Sequence, residues 1–286
     1  KSNDEVIVPD STWIGSSAGI KHAGGKAIFA DISEDNWCIN VKNINKRITN
    51  KTKAVISVNL YGNMPDYDEL TKFLNEKKIH LIEDAAESLG SIFRDVRSGK
   101  FGLASVFSFH RTKTITSGEG GCIVTEDSLV IKKIRDARLL GVENDTIKRF
   151  SDKRSWDFDV SSQGWRYHMS NIMAAIGIVQ LMRFDELSSK RMKLAKYYDH
   201  LLKKLEWVEP VRFNVDEVVP HIYVIKINKK YDKTKLIQYF KKFNIEIGLH
   251  YYPTHKIEFF NKKKDKKYIN SEKFYKNAIT LPLNTK

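Results

Sequence analysis

The sequence predicts an α/β protein, with a large domain built on a mainly parallel sheet flanked by helices and a small C-terminal α+β domain. Three observations carry that prediction. Short apolar runs alternate with helical patterns four times between Val6 and Glu83, with short connections, as successive βαβ units do. The runs stop at acids or turn residues, where open α/β sheets gather their ligand sites. Beyond Val208, short strand and helix patterns form a compact unit of their own. The division is expected at residues 1–185 and 186–286.

Taken in order, Val6–Val8 is an apolar run stopped by Pro9-Asp10, a strand and its exit turn. Ser11 is placed to cap a helix whose Trp13, Ile14, Ala18 and His22 fall near one face, and Gly24-Gly25 ends it. Ala27–Ala30 is the next strand and runs into Asp31. A helix through Val41–Ile48 leads to the strand Ala54–Val58, followed by Tyr61-Gly62. Pro65 stands where a first-turn proline belongs and opens the helix Asp66–Glu76. The strand Ile79–Glu83 follows, running into Asp84.

A Gly-rich turn leads to the strand Ala104–Phe109, and Gly-Glu-Gly-Gly leads to the strand Gly121–Thr125. Asp127–Leu140 reads as an amphipathic helix closed by Gly141, and residues 141–162 as a long polar loop. Met169–Leu205 reads as one long helix that carries the chain out of the large domain. In the C-terminal unit, His221–Ile227 and Ile247–Tyr251 read as strands. Lys233–Phe243 and a stretch near Glu272–Ala278 read as helices.

With 286 residues the chain is long enough for one large core and a smaller appended domain. No apolar run approaches a membrane span and no stretch reads as a signal peptide, so membrane insertion is not expected. Two cysteines, Cys38 and Cys122, lie far apart without ligand-like spacing. They argue against a disulfide framework or a Cys-based zinc site and for a reducing, cytoplasmic setting. The formal net charge of +14 raises nucleic acid as a partner. The lysines are spread along the chain, however, with one dense run over residues 261–267, and no RNP pattern, basic zipper helix or zinc finger accompanies them. A lysine-rich surface with a mild pull toward anionic small molecules is the reading that charge supports.

The chemistry gathers between His80 and Thr125. Asp84 follows one strand, and another ends on Ser108, His110 and Lys113. A lysine in a partly desolvated pocket loses some preference for its charged form and can attack a carbonyl. Pyridoxal 5'-phosphate (PLP) needs such a lysine, and a carboxylate that keeps its ring nitrogen protonated. Asp84 would supply the carboxylate, Trp13 a cover for the ring face and Ser108 a donor to the phosphate. Each residue alone has an ordinary alternative: a surface lysine, a strand-end acid, a core tryptophan, a strand serine. No GxGxxG follows a strand and no Walker-A lysine is present, so neither a dinucleotide nor a P-loop site is supported.

The segments VIVPDSTWIGSSAGIKHAGGKAIFADI, AVISVNLYG, IEDAAESLGS, FSFHRTKTITSGEGG and NIMAAIGIVQL occur in that order, and together they resemble the DegT/StrS-type PLP-dependent sugar aminotransferases of fold type I. The likeness is strongest to the perosamine synthase group. It implies that Lys113 binds the cofactor covalently and moves the proton in transamination. It places Asp84 at the pyridine nitrogen, Trp13 on the ring and Ser108 at the phosphate. It places Glu87 near the ring hydroxyl, where the family usually has Gln; a carboxylate there must be protonated or share that hydroxyl's proton. Lys113 argues against the related sugar dehydratases, which have His instead.

Arg166 stands in a segment where members carry an Asn that reaches a dimer partner's cofactor phosphate. It would take that role, or pair with a local acid. His110 and His168 are candidates for the sugar pocket, or equally for structural histidines. The resemblance further implies L-glutamate as amino donor and a nucleotide-linked keto-deoxy sugar as acceptor, aminated at C4. It also implies a homodimer with shared active sites and a place in surface polysaccharide, O-antigen or lipopolysaccharide biosynthesis. Relatives carry a leading segment and a closing helix that are not seen here. One rival is a 3-keto sugar aminotransferase. Another is a non-catalytic, truncated remnant of the fold.

Overall fold

A computed structural model describes residues 3–144, 151, 158–160, 162–211, 217–260 and 267–284. Its first unit is a sheet with the strand order β2-β1-β3-β4-β7-β8. The strands are β1 (Glu5–Pro9), β2 (Lys26–Ala30), β3 (Thr52–Val58), β4 (His80–Asp84), β7 (Ala104–Ser108) and β8 (Gly121–Val124). A two-residue pair, β5 (Ile92–Phe93) with β6 (Val96–Arg97), lies between β4 and β7 in the chain. The pairs from β2 through β7 are parallel, and only β7 with β8 is antiparallel. That agrees with the mainly parallel sheet expected from the alternating pattern.

Adjacent strand residues face opposite layers, as the period of two requires. Ile7 and Val55 pack with Leu70 and Leu74 of α3 (Tyr67–Glu76) and with Ile44 of α2 (Val41–Asn45). Val8 and Phe29 pack on the other side with Ile20 of α1 (Gly15–His22) and Tyr268. Asp66 caps α3 by accepting from the Glu69 amide, just after Pro65. Two close approaches demand glycine. A Cβ at Gly62 would lie 2.8 Å from the Val219 carbonyl oxygen, and one at Gly90 would lie 2.3 Å from the Phe184 ring. Both glycines have positive φ.

The helix expected over Asp127–Leu140 is α4 (Ser128–Ala137), capped by Asp127. The single helix expected over Met169–Leu205 is instead two, α5 (Asn171–Met182) and α6 (Phe184–Leu202). Arg183 leaves helical geometry between them, with φ −94° and ψ 7°. Its guanidinium holds Glu186 through Nε at 3.0 Å and Nη2 at 3.2 Å. Asp185 and Glu186 thus start a new helix N-terminus, where acids are favoured. Helical periodicity continues across the break, which is why the pattern alone reads as one element.

α6 packs through Leu194, Ala195, Tyr198 and Leu202 on a second, antiparallel sheet with the order β11-β10-β9. Its strands are β9 (Val208–Pro210), β10 (Tyr223–Ile227) and β11 (Ala278–Leu281). The other side of that core is α7 (Lys233–Lys242), through Leu236, Ile237 and Phe240. α8 (Ile269–Asn277) precedes β11. The strand expected at Ile247–Tyr251 is reduced to a bridge between Gly248 and Thr280. Most of the polar loop expected at 141–162 and the basic run at 261–266 lie outside the described residues.

Two acids at the ends of the first-sheet strands tie the units together. Asp31, after β2, accepts from the Asn270 and Ser271 amides, each at 2.9 Å, and so caps α8. Asp10, after β1, accepts from the His255 amide at 2.8 Å and meets its Nδ1 at 2.7 Å. A mixed core of Val58, Leu60 and Tyr61 with Val224, Tyr251 and Phe274 fills the seam. Among the described residues no helix is long and apolar enough to cross a membrane.

Candidate active site

β4 and β7 lie side by side with Asp84 opposite Val106, so their carboxyl ends present Asp84 and Ser108 on the same edge. Behind Asp84, Glu83 points the other way and is fully buried. It accepts from Asn59 Nδ2 at 2.9 Å, the Gly99 amide at 2.8 Å, the Phe101 amide at 3.2 Å and Ser105 Oγ at 2.8 Å. Four donors on one carboxylate pin the end of β4 and the loop that follows it.

Asp84 accepts from Ser16 Oγ at 2.7 Å and from the Ala86 amide at 3.1 Å. Burial lifts its pKa above the usual carboxylate value, against the pull of those two donors. Ser16 lies in the first turn of α1, three residues after Trp13, whose indole is 63% exposed. Trp13 faces Tyr251 with ring centroids 6.3 Å apart.

Tyr251 is the link to the second half of the site. Its hydroxyl donates a short hydrogen bond to Glu87 Oε1, while the Tyr61 amide donates to Oε2 at 2.8 Å. Tyr61 adopts a left-handed conformation with φ 61°, unusual for a bulky side chain and a form of strain that recurs at functional sites. Lys113 Nζ stands 3.7 Å from Glu87 Oε1, and His221 Nδ1 stands 3.7 Å from the same oxygen. Burial alone would raise the Glu87 pKa. Lys113, the bonds from Tyr251 and Tyr61, and the N–H dipole of the facing His221 ring outweigh it and hold the carboxyl below its ordinary value. Glu87 is therefore ionised in this structure, with Lys113 as its charge partner.

Lys113 hangs from the loop between β7 and β8. Thr114, Ile115 and Ser117 of that loop are buried, and the Ser117 amide bonds to the Phe109 carbonyl at 3.0 Å. A buried loop of this kind fixes the root of the lysine, whose side chain stays 15% exposed.

The structure therefore brings Trp13, Asp84, Glu87, Ser108 and Lys113 to one edge of the sheet. The other three sequence-derived candidates lie to one side. His110 is half exposed, its Nδ1 near Thr112 Oγ1 at 3.0 Å and its Nε2 3.6 Å from Glu119. Arg166 and His168 are exposed on a segment laid along α4 by the bonds Trp165 N–H to Ala137 and Tyr167 N–H to Arg138. His168 lines a groove of about 1730 Å³ with Glu119, Gly120, Trp165 and Met173. Neither Asp84 nor Lys113 lines that groove. Among the described residues no acid forms an ion pair with Arg166.

Ser16, Tyr251 and His221 are part of the cluster and were not singled out from the sequence. Ser16 is one small residue in a Ser-Ser pair. Tyr251 sits in a His-Tyr-Tyr-Pro run that carries a visible aromatic signal but no spacing that ties it to Glu87. His221, a lone histidine after Val-Val-Pro, carries none.

The donor set fits a PLP molecule. An exposed indole offers a face for a planar ring. Asp84 is a buried carboxyl whose pKa stays raised although Lys113 pulls it down, so a protonated ring nitrogen against it would be stabilised. Ser108 Oγ accepts from the His110 amide at 3.3 Å, which leaves its hydrogen for an anion. Lys113 is the amine within the cleft.

The sequence model of the DegT/DnrJ/EryC1/StrS aminotransferase family matches residues 1–286. GDP-perosamine synthase of Escherichia coli O157:H7 is 32% identical over 279 residues, which span 98% of this chain and 73% of that protein. Among solved structures, Helicobacter pylori PseC is an aminotransferase involved in the biosynthesis of pseudoaminic acid. It superposes with a TM-score of 0.91 at 27% identity, covering 99% of this chain and 75% of its own. The E. coli GDP-4-keto-6-deoxy-D-mannose-3-dehydratase with bound hydrated PLP superposes at 0.87 with 25% identity, covering 100% of this chain and 77% of its own.

Proposed function

The chain belongs to the DegT/DnrJ/EryC1/StrS aminotransferase family, and from that premise we propose that it moves an amino group from L-glutamate to the C4 ketone of a nucleotide-linked 4-keto-6-deoxyhexose. Family membership makes it a PLP-dependent sugar aminotransferase acting in nucleotide-sugar modification. The donor, the carbon position and the residue roles are the proposal. The observation that carries it is the meeting of Lys113 with Glu87 and Tyr251, beside Asp84, at one edge of the sheet.

When bound, PLP supplies an electron sink for the bond broken at the donor's α-carbon. In this reading Lys113 Nζ holds the cofactor covalently at rest. Once released, its amine would take the proton from the donor's α-carbon as base and give it up again as acid. Asp84 would keep the ring nitrogen protonated, because its carboxylate, disfavoured by burial, gains from a cation placed against it. Trp13 would cover the ring, Ser108 would meet the phosphate, and Glu87 would face the ring hydroxyl. Because Glu87 is ionised here, it would act as acceptor to that hydroxyl, leaving the proton on the cofactor. Lys113 separates this chain from the dehydratase chemistry of one structural relative, in line with the resemblance noted above.

Residues 1–185 form the cofactor domain in this reading and 186–286 the domain that carries Tyr251 and His221 to it. The passage of α6 onto the second sheet supports that boundary. A homodimer with shared sites is supported by an apolar face. All four residues of β8 are exposed, and α5 is apolar yet buries none of its residues. His168 lines the groove beside that face and Arg166 lies two residues before it, which suits a sugar contact and a phosphate contact across the interface; His110 would take a sugar contact of its own. A cytoplasmic enzyme of surface-polysaccharide assembly, O-antigen included, is the setting that best fits such an activity.

The experiment is a set of turnovers with L-glutamate and nucleotide-linked 4-keto and 3-keto sugars, with the product's amino carbon assigned by NMR. Amination at C4 is expected. Amination at C3 would move the assignment to the related regiochemistry, and no turnover with either sugar would overturn the acceptor class.

A further inference from the structure

His221 is 4% exposed, and neither of its ring nitrogens has a hydrogen-bond partner among the described residues. A polar ring so placed is costly unless something engages it. Its place is set by backbone bonds, because Arg191 Nη1 of α6 donates to the His221 carbonyl at 2.9 Å and β10 begins two residues later. Its Nδ1 lies 3.7 Å from Glu87 Oε1, about 0.5 Å beyond an ordinary N–H···O bond. Lys113 Nζ approaches the same oxygen at the same distance. The other ionisable groups near the ring are Arg191 and His250, and the His250 Nδ1 is engaged by Thr280 Oγ1 at 2.8 Å.

This inference rests on the reading of Lys113 as the cofactor lysine. When Lys113 is drawn to the cofactor it leaves Glu87, a carboxylate too buried for water to replace it. Tyr251 and Tyr61 already donate to Glu87. His221 is the neighbouring donor with no other bond among the described residues. We propose that His221 is a positioning residue whose N–H takes up Glu87 when Lys113 leaves, keeping that carboxylate charged and aimed at the cofactor's ring hydroxyl through the reaction. Burial pushes the imidazole's pKa down to about 3 despite the pull of Glu87, so the ring stays a neutral donor across physiological pH. A neutral donor holds Glu87 in place without competing for the charge of Lys113.

The test is spectroscopic and uses the full chain loaded with PLP. Visible absorbance of the lysine-linked cofactor is followed against pH for wild type, His221→Phe, His221→Gln and His221→Asn, with thermal midpoints recorded alongside. Without the His221 N–H, the Glu87 charge is less neutralised and holds a proton on the Lys113 nitrogen more firmly. The spectral midpoint should therefore rise by about one pH unit in His221→Phe. His221→Gln keeps a neutral N–H within reach and should restore the wild-type midpoint. His221→Asn is one methylene shorter and should behave as Phe does, which decides the matter if the Phe variant fails to fold. Equal midpoints in the Gln and Asn variants, whether shifted or not, would overturn the inference while leaving the aminotransferase reading intact. If wild type forms no lysine-linked band, that reading fails and the role of His221 with it.

Discussion

Glu87 concentrates the electrostatics of the site in one carboxylate, and its neighbours make the residue-scale predictions. Replacing Tyr251 with Phe removes the hydroxyl that donates to Oε1 and leaves a buried anion one donor short. Stability should fall by about 1–3 kcal/mol, measured by denaturant unfolding. Lys113→Ala should lower turnover by about 10²–10⁴-fold through loss of the proton carrier alone, and by more through loss of covalent cofactor. The acid side of the stability profile follows from His221 and Glu87. Both have folded pKa values below their ordinary ones. Their contributions are complete above the unfolded values and are lost as pH falls through the folded ones. For His221, with a folded value of about 3, stability should decline by about 2 kcal/mol between pH 7.5 and about pH 5. His221→Gln should flatten that part of the curve; an unchanged slope would show that the ring does not titrate as described.

At the scale of elements, the strand-end acids divide their labour. Asp84 faces the cleft, whereas Asp31 and Asp10 tie the C-terminal unit to the sheet. Asp31→Ala uncaps α8 and should cost about 1 kcal/mol, with a ceiling near 2. His255 sits between Asp10 and Glu272. Burial would lower its pKa, but the two carboxylates outweigh that and raise it. Its stabilising contribution is therefore complete below the unfolded value and fades as pH rises through the folded one, opposite in sign to His221. The alternation of apolar runs made the sheet legible because each run has the length and period of a buried strand. The Lys113 loop was legible through the order of its motifs, which resembles a known family, since each of its residues alone has an ordinary alternative. The break at Arg183 was not legible, since an i,i+3 pair between Arg183 and Glu186 leaves the apolar period intact. His221 and Tyr251 were hidden for a different reason: each reaches Glu87 over more than 130 residues of chain, and no local pattern encodes that distance.

For the whole molecule, the exposed apolar face predicts assembly. Ile172, Ile176, Val179 and Met182 of α5 are all exposed in the single chain. A second copy would cover them beside Arg166 and His168. The combined change Ile176→Lys and Val179→Lys should convert a dimer to monomer in sedimentation, and cofactor retention should drop with it if the sites are shared. A monomeric wild type would contradict that arrangement.

If Lys113 holds the cofactor covalently, one absorbance experiment will show it. Wild type and Lys113→Ala are each mixed with PLP, and L-glutamate is then added. A visible band present in wild type, absent in Lys113→Ala and converted to the amine form by glutamate is the predicted result. A band of equal strength in both proteins, or none in wild type, would show that Lys113 does not bind the cofactor.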